Sequence, residues 1–113
     1  MVADVKKVTV SSMQEYLNLD SDMDAEILQD LIDMAQEDIR NAVDLNIPLE
    51  FYQRYPVFNQ AVRTMVDFTY YNRGELGEQK IGYPPSYQYM VNGIRWRVRR
   101  EFANANGNTP TKP

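Results

Sequence analysis

The chain has 113 residues, enough for one ordinary domain that buries about two-thirds of its unfolded surface without staples. It contains no Cys and no His, which excludes disulfides, thiol chemistry, Cys/His zinc sites and imidazole acid–base catalysis. Sixteen acids against twelve bases leave a net charge of −4, the wrong sign for a protein that works mainly by gripping duplex DNA.

The charge is uneven: residues 1–58 carry −8 and residues 59–113 carry +4. Ends of opposite sign suit head-to-tail contact between copies, or a bridge between two unlike partners. An acidic helix face and a basic tail without any partner account for the same pattern. No apolar run approaches the ~20 residues needed to span a bilayer, so no membrane contact is expected. Met1–Val10 carries Asp4 and no apolar stretch of export-signal type, so cytosolic synthesis is the expectation.

Taken in chain order, Thr9–Leu17 reads as a short helix. Thr9, Ser11 and Ser12 are candidate N-caps, Ser12-x-x-Glu15 fits a capping box, and Val10, Met13 and Leu17 keep helical spacing. Asn18–Asp24 is polar and turn-like. The second helix has an apolar stripe of Ile27, Leu28, Leu31, Ile32, Ala35, Ile39 and Val43. Ser21-x-x-Asp24 is suited to cap its start, Asp22, Asp24 and Glu26 suit the positive end of its dipole, and Asn46-Ile47-Pro48 should end it. Leu49–Tyr55 reads as an aromatic connector. A third helix starts near Pro56, puts Phe58, Ala61, Val62, Met65, Phe68 and Thr69 toward the core, and stops by Gly74. Residues 74–85 read as a loop, and Ser86–Asn92 as a short fourth helix.

The stretch Ile94-Arg95-Trp96-Arg97-Val98-Arg99 carries two periods at once. Its alternation, after the helix-breaking Gly93, favours an extended strand, with Arg95, Arg97 and Arg99 on one face and Ile94, Trp96 and Val98 on the other. Met90, Ile94, Val98 and Phe102 fall four apart, so a continued helix also fits. The expected fold is therefore all-α: a small bundle of about four helices with an extended or helical Arg-rich C-terminal segment and flexible termini. The chain divides into an N-terminal arm (1–8), a helical domain (9–93), an Arg-rich docking segment (94–103) and a flexible tail (104–113).

Little in this chain points to catalysis. Asp20-x-Asp22-x-Asp24 resembles the opening of a calcium loop, but Ala25 and Leu31 stand where that motif needs its Gly and its bidentate Glu. Helix capping accounts for the three aspartates. Asp33 with Glu37, or Glu37 with Asp38, are carboxylate pairs of the kind used in acid–base work. They fall on the polar face of an amphipathic helix, where carboxylates are solvated. No phosphate cradle, nucleophile elbow or metalloprotease motif is present, so no catalytic residue, metal or cofactor is assigned. Eight Tyr is a high count for this length and suits either the rim of a small core or a protein interface. Arg95, Trp96, Arg97, Arg99 and Arg100 form the sharpest constellation. Trp beside Arg is an interface composition, and the guanidiniums would meet carboxylates or phosphates. A solvated basic edge is the plainer alternative.

The order of these elements resembles the head–tail connector (adaptor) proteins of long-tailed bacteriophages. The features that carry the likeness are Val8-Thr9 through Tyr16-Leu17, the Asp-rich turn into the helix Asp20–Ala35, Tyr70, Tyr71, Asn72, Arg73 and Glu75 at a helix end, and Pro84/Pro85 followed by Arg95 or Arg97. The likeness covers residues 8–97. The aromatic connector (Phe51, Tyr52, Tyr55) and the Arg-rich end depart from the family pattern. The resemblance implies an all-α virion protein of the neck, made in the host bacterial cytoplasm, without catalysis. It implies a homo-oligomeric ring of about twelve subunits beneath the portal protein. Such a ring extends the channel for double-stranded DNA and offers a platform to head-closure or tail-completion proteins. On that reading Arg95, Trp96, Arg97, Arg99 and Arg100 bind a partner, and Asp30, Asp33 and Glu37 form an acidic face toward a subunit or the channel. The alternative is a small nucleic-acid-binding protein that uses Arg95–Arg100 and Trp96.

Overall fold

The computed structural model describes residues 7–20, 23–72 and 84–105. These form α1 (Val10–Tyr16), α2 (Ala25–Val43), α3 (Leu49–Tyr52), α4 (Pro56–Tyr71) and α5 (Pro85–Ala105), with no strand among them. The expected all-α fold is the observed one.

α1 is held at its start by a reciprocal cap. Thr9 Oγ1 accepts from the Ser12 amide at 3.0 Å, and Ser12 Oγ accepts from the Thr9 amide at 2.9 Å. The box is therefore Thr9/Ser12, not Ser12/Glu15, because the helix begins at Val10 and Ser12 occupies its third position. Met13 and Leu17 enter the core, and buried Gln14 donates to the Met23 carbonyl at 3.0 Å, tying α1 to the approach to α2.

α2 starts after Asp24, which is left-handed (φ 55°) and makes no side-chain cap. Its carboxylate accepts instead from the Tyr70 hydroxyl of α4. Ser21 and Asp22 lie outside the described residues. The buried stripe is Leu28, Ile32, Ala35, Gln36 and Ile39. Leu31 and Val43 are only half-buried and Ile27 is 38% exposed, so the stripe is narrower than the apolar spacing implied. Beyond Val43, Asp44 Oδ1 accepts from the Asn46 amide, and Arg40 donates to the carbonyls of Leu45 and Ile47 at 3.0 and 3.2 Å. These bonds satisfy backbone groups that the chain reversal would otherwise strand.

The aromatic connector contains the single turn α3. Tyr52 is fully buried, donates to the Asp44 carbonyl at 2.7 Å, and packs on Phe58 with ring centroids 5.3 Å apart. Phe51 meets Phe102 of α5 edge-on at 5.1 Å. α4 begins at Pro56 as expected and buries Phe58, Ala61, Val62, Met65, Val66 and Tyr70. Val66 and Tyr70 replace Phe68 and Thr69, which are half-buried, as the core-facing end of that stripe. The proposed Gly74 stop and the loop from 74 to 83 lie outside the described residues, and Pro85 already belongs to α5.

The largest departure from expectation is α5, one unbroken helix of 21 residues. It runs through Gly93, so neither the short helix ending at Asn92 nor the extended segment after it is present. The helical period prevails because Tyr87, Val91, Ile94 and Val98 make one buried stripe, while Met90 and Phe102 of the four-apart series are half-buried beside it. Trp96, which the strand reading put beside Ile94 and Val98, is 72% exposed. A lone strand would have left its amides and carbonyls without a ladder partner, since the described residues contain no other strand. α2, α4 and α5 each pack on the other two, α1 leans on α2, and one core runs between them.

Candidate functional site

The arginine segment is helical, so its side chains fan out instead of sharing a face. Arg95 turns inward along the bundle. Its Nε donates to the Ala42 carbonyl of α2 at 3.1 Å, and its Nη1 to Asn92 Oδ1 at 3.3 Å, which makes it a clasp between α5 and α2. Arg97 lies over the Tyr55 ring, 5.0 Å from its centroid, and pairs with Glu101 at 3.6 Å. Arg99 and Arg100 are exposed. With Trp96 they give the outer side of α5 a cationic, aromatic character, and Tyr89, 81% exposed, extends it toward the helix start. Beside this strip lies a groove of about 490 Å³, lined by Val57, Tyr89, Met90, Gly93, Trp96 and Arg97.

The acidic residues gather as expected. Asp30, Asp33 and Glu37 are all exposed on the outer side of α2, and Glu26 continues the line one turn earlier. Asp33 Oδ1 accepts from Gln29 Nε2 at 3.0 Å. The hollow nearest to Asp33 and Glu37 measures about 260 Å³ and is bordered by Gln36, Arg40, Leu45 and Leu49. These carboxylates border a solvent-exposed surface, which does not supply the desolvation that acid–base catalysis by carboxylates relies on. Among the described residues no group of three or more acids is placed to hold a metal ion. Asp24 of the calcium-like triplet is engaged by Tyr70.

The tyrosines divide between the two uses left open by the sequence. Tyr70 donates to Asp24, Tyr87 to Asp38 at 2.5 Å, and Tyr55 to Glu101. Each of these three buried rings thus places its hydroxyl on a carboxylate far away in sequence, whereas buried Tyr52 donates to the Asp44 carbonyl. Burial and the Glu101 carboxylate push the Tyr55 hydroxyl up to about 12, and the Tyr55 hydrogen bond in turn lowers Glu101 below the usual carboxylate range. Tyr16, Tyr71 and Tyr89 are exposed instead, and Tyr83 lies outside the described residues. No sequence signal marked the pairs, because their members lie 46, 46 and 49 positions apart.

Among the described residues no helix is long and apolar enough to cross a membrane. No curated protein and no solved structure matches the chain. A family model described as phage gp6-like head-tail connector protein matches residues 7–97, from the residues before the α1 cap to Arg97 inside α5. With most of its length and all five helices within or overlapping that match, the chain belongs to the phage gp6-like head-tail connector family, structural proteins of the junction between virion head and tail.

Proposed function

We propose that copies of this chain assemble into a ring of about twelve subunits beneath the portal protein, where the ring extends the DNA channel and joins capsid to tail. The family match over residues 7–97 carries this reading. The fold supports it: α2 and α5 turn chemically different faces outward, and neither face is consumed by the core. A conduit must let phosphates slide, and a net charge of −4 keeps duplex DNA from being held. Asp30, Asp33 and Glu37 serve a subunit or channel contact. Trp96, Arg99 and Arg100 meet the portal or a neighbouring chain, with Arg95 and Arg97 supporting them from the flanks. The ring offers its far side to head-closure or tail-completion proteins, in a neck built from chains made in the host cytoplasm.

Electron microscopy of the purified protein, alone and mixed with portal particles, tests this. Annular particles with a central hole, or density added beneath the portal, are expected. Absence of both overturns the proposal. Tight binding to free duplex with a steep salt slope would favour the nucleic-acid reading of Trp96 and Arg95–Arg100 instead.

A further inference from the structure

We propose that the outward face of α5 is the socket for the outward face of α2 on a second copy of this chain. The proposal rests on the connector reading and names its subunit contact. Tyr89, Gly93, Trp96 and Arg100 stand at i, i+4, i+7 and i+11 and so form one line along α5. Gly93 is the informative member. A helical Gly costs about 0.8–1 kcal/mol relative to Ala. Yet among the described residues a Cβ built at Gly93 would meet nothing within 4 Å. The isolated fold therefore has no use for this glycine. Its bare backbone forms part of the wall of the 490 Å³ groove beside Tyr89 and Trp96, where another chain can approach closely.

The matching surface is on the same molecule. Glu26, Asp30, Asp33 and Glu37 repeat the same i, i+4, i+7, i+11 spacing along α2, and Met34, 60% exposed, stands among them. Each strip is about 16 Å long. Among the described residues Glu26, Asp30 and Glu37 have no side-chain hydrogen bond or ion pair. Met34 supplies a flexible apolar plug of the right kind for a groove walled by Tyr89 and Trp96. The carboxylates then fall opposite Arg99 and Arg100. Phosphate would satisfy the arginines but not the groove, and the acidic α2 of the same body repels it. Two α5 faces brought together would set Arg against Arg, and two α2 faces would set carboxylate against carboxylate. The contact is therefore heterologous, the kind that repeats from copy to copy until a ring closes.

The absence of Cys allows a direct test. A double variant, Met34→Cys with Tyr89→Cys, changes two exposed positions and leaves Gly93 bare. It is oxidised under the conditions in which the wild-type chain assembles, alone or on portal particles. A ladder of disulfide-linked multimers is expected on a non-reducing gel, and each single variant should stop at dimers. Adding Arg99→Glu and Arg100→Glu should abolish the ladder, and further adding Asp33→Arg and Glu37→Arg should restore it. Rings seen by microscopy without a ladder overturn this pairing while the connector reading stands. A ladder that survives the arginine reversal overturns it as well. No ring and no ladder, with or without portal, overturns both.

Discussion

At the scale of single residues, the buried tyrosine–carboxylate pairs are the joints of the bundle, and Tyr55–Glu101 has a measurable consequence. The Tyr55 hydroxyl is pushed up to about 12, chiefly by burial and then by the Glu101 carboxylate. Burial also raises Tyr52. A proton held more tightly in the folded than in the unfolded chain stabilises the fold below the unfolded tyrosine range, near pH 10, and that contribution is lost as pH rises through the folded value. Stability measured by urea denaturation should therefore fall between about pH 10 and 12, and Tyr55→Phe should flatten part of that fall. Glu101 acts at the other end of the scale. Its range is lowered mainly by the Tyr55 hydrogen bond, so its contribution is present above the unfolded carboxylate range and disappears as pH drops through the folded one. The same Tyr55→Phe variant should shift the acid limb of the profile. A profile unchanged at both ends would show that the pair is not formed in solution.

At the scale of elements, α2 and α5 separate what periodicity reveals from what it leaves open. In α2 the apolar spacing located the helix but widened its buried side. Ile32 is 1% exposed, whereas Leu31 is only half-buried. Ile32→Ala should cost about 2–5 kcal/mol and Leu31→Ala less than that, a difference read directly from paired urea denaturation curves. In α5 the same six residues satisfy a period of two and a period near four, so local pattern could not choose between strand and helix. The packing of Val91, Ile94 and Val98 in the core with α2 and α4 makes the choice. Gly93→Ala should accordingly stabilise the isolated chain by about 0.4–1 kcal/mol, since the space around it is open. A glycine that ended the helix, as the strand reading required, would give no such gain.

At the scale of the whole molecule, the arginines must be sorted by what they already hold. Replacing Arg95 removes the clasp on the Ala42 carbonyl, and replacing Arg97 removes a partner of Tyr55 and Glu101. Reversing Arg95, Arg97 and Arg99 together would therefore mix a folding defect with an assembly defect. Arg99→Glu with Arg100→Glu is the cleaner variant. As exposed substitutions, they should leave stability within about 0.5 kcal/mol and still reduce incorporation into particles, scored by the protein content of purified virions. Normal incorporation would defeat the docking role of this face.

Taken by itself, the sequence determined the all-α class, the presence of α1, the start of α4, the position of α2, the acidic outer face of α2 and the family likeness. All of these are written in spacing, caps and element order along short stretches of chain. Only the tertiary structure decided that residues 94–99 are helical, that Trp96 points outward, and which arginines are spent on the fold. It also decided which tyrosines tie the helices together. Those outcomes depend on groups far apart in the chain arriving at the same place, and a side chain's partner across a bundle leaves no mark on its own neighbours in sequence.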